Sequence, residues 1–98
     1  MPKRCIMVDK TEIVIAVEGK KRWTSHNLTY DEINRIQFGT DEVRKLFKRV
    51  PVRSIKIFSS RLGQPATFLE NKHKDYFEEY REKLKAFAER NRISFQDD

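Results

Sequence analysis

The sequence predicts an α+β domain. Two patterns and one supply of core material carry that expectation. Apolar residues alternate with period two through much of residues 5–70. A single long helical stripe fills residues 71–91. Seven Phe, three Tyr and one Trp provide the bulk to fill one core.

The first third reads as a meander. Residues 5–8 form a short apolar run, and Asp9-Lys10-Thr11 reads as a turn. Ile13, Ile15 and Val17 alternate over residues 12–17, the mark of a half-buried strand. Glu18-Gly19-Lys20 reads as a second turn, with Gly19 free to take a positive φ. Residues 22–26 around Trp23 form a third strand. A tight turn at residues 29–32 then leads into a strand over 33–38, ended by Gly39.

Residues 41–50 change period. Val43, Leu46, Phe47 and Val50 stand at i, i+3, i+4 and i+7, which predicts a short helix near 41–50. Thr40 is a candidate N-cap, Asp41 and Glu42 suit the positive end of the helix dipole, and Pro51 stops the helix. Strands follow at 52–59 and 66–70, around a turn at 61–65. Tyr76, Phe77, Tyr80, Leu84, Phe87 and Ala88 then predict an amphipathic helix near 72–91, capped by Asn71. Its stripe needs an apolar partner, and the inner face of a curled antiparallel sheet of about six strands is the candidate. Ile93 and Phe95 fold back beyond its end. Neither repeat nor linker divides the 98 residues, so one domain is expected.

Composition bounds the function. Lys and Arg number 21 against 15 Asp and Glu, a formal net charge of +6. Charged residues are 37% and apolar residues 38%, a balance unlike disordered or collagen-like chains. Apolar runs fall short of the roughly 20 residues of a membrane span. The run at 5–8 is too short for a signal peptide, and the Asn27-Leu28-Thr29 glycosylation triplet reads as chance. Cys5 stands alone, so no internal disulfide and no thiolate zinc site can form. A cytoplasmic location is the expectation.

Charge is uneven along the chain. From Arg44 to Arg61 there are seven basic residues and no acid. Arg44, Lys45, Lys48 and Arg49 on the predicted helix, with Arg53 beyond it, are the first candidates for contacting an anion or a partner. Like charges at i, i+4 repel, unless the helix dipole and carboxylates elsewhere offset them. Lys72 and Lys74 at the start of the long helix are a second candidate pair, with neutralisation by Glu70 and Asp75 as the plainer reading. The Lys20-Lys21-Arg22 tip beside Trp23 is a third. Phe47 falls on the expected buried stripe, so the basic block lacks an exposed aromatic for stacking on bases. No catalytic residues, cofactor cradle or metal set are expected. His26 and His73 lie apart without a third ligand, Cys5 reads as a small core hydrophobe, and three glycines cannot make a phosphate loop.

Leu28-Thr29-Tyr30-Asp31-Glu32-Ile33-Asn34-Arg35-Ile36 resembles the apolar-x-Tyr-x-x-Ile-x-x-Ile run that leads into a mid-domain strand of small bacterial pleckstrin-homology-like (PH-like) domains. The terminal helix over 76–88 is similar to the helix that plugs the sheet in that family. The predicted helix near 41–50 departs from many members, and the loop at 9–11 lacks the basic cluster of phosphoinositide-binding ones. The resemblance implies a scaffold for binding protein, peptide or lipid. The expected function is therefore non-catalytic binding of a protein or peptide partner, through a sheet edge or the basic helix face. The alternative is nucleic-acid or anionic-membrane binding through the Arg44–Arg61 block. Free sheet edges also make homo-oligomers an expectation.

Overall fold

Alternation along the strands sorts the chain into an inner and an outer face, and two sheets result. The computed structural model describes residues 4–97, so the basic start at Met1, Pro2 and Lys3 lies outside the described residues. Strands β1 (Ile6–Val8), β2 (Glu12–Glu18) and β3 (Trp23–Thr29) pair antiparallel in the order β1-β2-β3. Strands β4 (Ile33–Lys45), β5 (Lys48–Ser59), β6 (Ala66–Leu69) and β7 (Ser94–Asp97) form a second sheet in the order β6-β5-β4-β7. The fold is thus α+β, with a three-stranded sheet, a four-stranded sheet and one C-terminal helix, α1 (Phe77–Asn91).

Register places the apolar residues inward. Ile13 pairs with Leu28 and Ile6 with Ile15; in the second sheet Ile36 pairs with Ile57, and Phe38 with Ile55. All eight are buried. The helix contributes Phe77, Tyr80, Leu84, Phe87 and Ala88 to the same cluster, so one core joins both sheets and α1. Burying each large side chain stabilises by about 1.5–3 kcal/mol, and helix and sheets hold each other mainly by this.

Several connections follow the expected chemistry. The turn at Tyr30–Glu32 is a short 3-10 segment, closed where Thr29 N–H donates to the Glu32 carboxylate at 2.9 Å. That bond holds the Glu32 carboxyl below its ordinary value. Gly19 does not take a positive φ; it is needed because a Cβ there would meet the Arg22 carbonyl oxygen at 2.8 Å. Past α1, Arg92 adopts the left-handed region (φ 56°) and Ile93 N–H donates to the Ala88 carbonyl at 2.9 Å. The chain so reversed forms β7, which pairs parallel with β4 and sets Phe95 edge-on to Phe38 at 5.3 Å. The expected fold-back of Ile93 and Phe95 is therefore present, although this strand is parallel and the sheet is not wholly antiparallel.

Two helix expectations need correction. The long helix begins at Phe77 and not near residue 72, and Asn71 does not cap it. Glu70–Lys72 is a 3-10 turn, and His73 packs edge-on to Phe68 at 5.6 Å and near Tyr80 at 6.2 Å. The second correction is larger: residues 41–50 are not a helix. They are the far end of the β4–β5 hairpin, turning at Leu46-Phe47. An isolated helix this short is marginal in water. Continuing a ladder already fixed by the buried rungs of β4 and β5 is the easier course, and it puts β-branched Val43 opposite Val50.

Candidate functional site

Beyond Phe38 on β4 and Ser54 on β5, the hairpin leaves its neighbours behind. The last β7 pairing is Phe38 with Asp97, and the last β6 pairing is Ser54 with Leu69. Among the described residues, the six rungs from Thr40–Arg53 out to Lys45–Lys48 thus form a two-stranded ribbon with no third strand. At about 3.4 Å per residue it reaches roughly 20 Å.

Its root is tied down. Arg53 Nε donates to Glu70 Oε2 at 3.1 Å, and the same guanidinium binds Glu78 on α1 and lies 5.2 Å from the Phe77 ring centre. The Glu70 carboxyl is held below its ordinary value by this bond. Lys56 Nζ pairs with Asp41 at 3.3 Å across the outer face. Pro51 stands opposite Glu42. Counting pairs back from the two-residue turn makes this a non-hydrogen-bonding rung, where the missing N–H breaks no ladder bond.

The tip is unlike the root. Leu46 is 89% exposed and Phe47 is fully exposed. Just behind them, Lys45 faces Lys48 on one side of the ribbon and Arg44 faces Arg49 on the other. Among the described residues, no carboxylate lies in ion-pair range of Arg44, Lys45 or Lys48. Arg49 has one, Glu42 at 3.6 Å, on a pair that is mostly solvated. Like charges directly opposite in a ladder are destabilising. Leu46 also takes φ 51°, a left-handed conformation that hairpin turns usually give to Gly or Asn. Three unfavourable choices thus meet within eight residues: exposed apolar bulk, unrelieved charge and a strained φ.

The sequence-predicted candidates therefore separate. Arg44, Lys45, Lys48 and Arg49 converge at the tip, although on two faces of a ribbon and not on one helix face. Arg53 lies at the root with its charge taken by Glu70 and Glu78. Lys72 and Lys74 belong to the connection between β6 and α1, where Lys72 lines a cleft of about 220 Å³ with Val17, Trp23 and His73. Leu46 and Phe47 were missed; Phe47, expected inside, is the most exposed large apolar residue of the described chain. A signal for them was present. Val-Arg-Lys-Leu-Phe-Lys-Arg-Val reads the same outward in both directions from residues 46 and 47 but for the central pair. That is the mirror pattern a two-residue hairpin turn would fold into like-with-like rungs.

The remaining polar groups offer little chemistry. Cys5 is buried, and burial first, then Glu18, push its thiol above the ordinary value. Among the described residues, no three His, Cys, Asp or Glu side chains gather as a metal set. No helix among the described residues is long and apolar enough to cross a membrane. Comparison with protein-family models, with curated proteins and with solved structures yields no match to this chain.

Proposed function

We propose that this chain is a non-catalytic binding module, built on a PH-like scaffold, whose contact element is the projecting β4–β5 hairpin and whose partner is anionic. The observation that carries the reading is the tip itself. Leu46 and Phe47 stand exposed, immediately ahead of Arg44, Lys45 and Lys48, which have no carboxylate partner among the described residues. Leaving those two apolar side chains in water forgoes about 1.5–3 kcal/mol each. A left-handed Leu46 adds on the order of 1–3 kcal/mol of strain. Features this unfavourable to the free chain are accounted for when a partner covers them. The PH-like part of the reading is supported by α1, which lies against β1 of one sheet and against β4 and β7 of the other. Strand addition at a sheet edge is less favoured: β6 has four residues, and the seven-residue edge strand β3 is mostly polar.

Heparin affinity tests the anionic contact. Arg44, Lys45, Lys48 and Arg49 changed together to Glu are compared with the exposed Lys10, Lys83, Lys85 and Arg90 changed together to Glu. Both variants alter net charge equally. The hairpin variant is expected to elute at far lower salt than the parent, and the control close to it. Equal losses in both would assign binding to net charge and overturn the reading.

A further inference from the structure

The order of side chains along the ribbon names a partner. Resting on the hairpin reading above, we propose that the anionic partner is a lipid bilayer and that Leu46 and Phe47 enter its hydrocarbon edge. From the apex backward the layers are Leu46-Phe47, then Lys45–Lys48, then Arg44–Arg49, then Val43–Val50, and only then the acids Glu42 and Asp41. Rungs are about 3.4 Å apart, so the four cations lie roughly 3–7 Å behind the apex and the acids roughly 14–17 Å behind it. The polar headgroup zone of one leaflet is about 5–8 Å deep. With the apex at the hydrocarbon edge, the cations sit among the lipid phosphates and the acids stay in water. The long Lys and Arg stems let the charges reach outward while the tip goes in.

Cation placement favours this partner over a nucleic acid. A ribbon following a phosphate backbone would gather its cations along one face. Here one pair lies on each face, so the charge surrounds the tip. A fluid anionic surface meets such a collar from all sides at once. The apex side chains are also almost wholly solvated, Leu46 at 89% and Phe47 fully exposed.

The test uses the full chain with Phe47→Trp, and the parent, which carries only Trp23, as the blank. Vesicles of phosphatidylcholine containing about a third phosphatidylserine are compared with phosphatidylcholine alone. Expected are co-sedimentation with the anionic vesicles only, a blue shift of the added Trp, and its quenching by lipids brominated along the chain. Leu46→Ser with Phe47→Ser should cut partitioning by on the order of tenfold or more per side chain. Both positions are solvated, so circular dichroism should be unchanged. Association with anionic vesicles without blue shift or quenching would overturn insertion and leave the anion-binding hairpin standing. Salt-sensitive binding to single- or double-stranded DNA with no vesicle binding would overturn the bilayer and keep the hairpin. Binding to neither vesicles, DNA nor heparin would overturn both readings.

Discussion

Lys45 lies directly opposite Lys48 on the last rung of the β4–β5 ribbon, and neither has a carboxylate in reach among the described residues. The rung therefore works against the hairpin it closes. Lys45→Glu turns repulsion into a cross-strand ion pair, for a gain of about 0.2–1 kcal/mol. The variant should melt at a slightly higher temperature while eluting from heparin at lower salt. A lower melting temperature would mean that the two ammonium groups do not repel each other across the rung.

Leu46 supplies a second trade between stability and binding. Its φ of 51° suits glycine. Leu46→Gly removes strain on the order of 1–3 kcal/mol and adds about 0.5–1 kcal/mol of unfolded-state entropy cost. The net expectation is about 1 kcal/mol of stabilisation in urea unfolding. Binding to anionic vesicles should fall, because half of the apolar apex is gone. A destabilised Leu46→Gly would show that Leu46 packs on the ribbon and is not held in an unfavourable conformation.

What was legible in the sequence depended on burial of one face. Ile13, Ile15 and Leu28 alternate because one side of their sheet is dry, and Tyr80, Leu84 and Phe87 recur at helical spacing for the same reason. The ribbon has no dry face near its tip, so its pattern was set by pairing alone. Val43 and Val50 are rung partners and Leu46-Phe47 is the turn, yet the four fall at i, i+3, i+4 and i+7 and imitate a helix stripe. No Asn-Gly or Asp-Gly marked the turn. Arg53 illustrates a different limit. It sits in the basic block, but its partners Glu70 and Glu78 come from 17 and 25 residues further on, through tertiary contact alone. The same holds for β7, whose four residues pair parallel with β4 only because α1 returns the chain there.

His73 makes stability depend on pH. Burial first, then the Lys72 charge, hold its imidazole below the ordinary 6.5. Between that lowered value and 6.5 the unfolded chain binds more protons than the native one. Stability is therefore fully present above 6.5 and is lost as pH falls through the folded value. The lowered Glu32 and Glu70 act in the same direction only in a more acidic range, below the ordinary 4.5. His73→Gln should flatten the melting temperature across the histidine window and leave the acid limb in place. An unchanged slope in that window would assign it elsewhere.

Tyr80 ties the helix to the start of the first sheet through its hydroxyl. Cys5 N–H donates to its hydroxyl at 2.8 Å, and the ring is 1% exposed. Burial raises the phenol above its ordinary value, so it stays neutral and able to accept at any ordinary pH. Tyr80→Phe keeps the ring and its contacts with Tyr76 and His73 but leaves the Cys5 N–H without that acceptor. An unsatisfied buried donor costs about 1–3 kcal/mol. Urea unfolding should show a loss of that size, with Cys5 amide exchange accelerated more than the exchange of Ile55 or Ile57 amides. Uniform acceleration would instead mean that the bond does not hold the β1 end of the sheet locally.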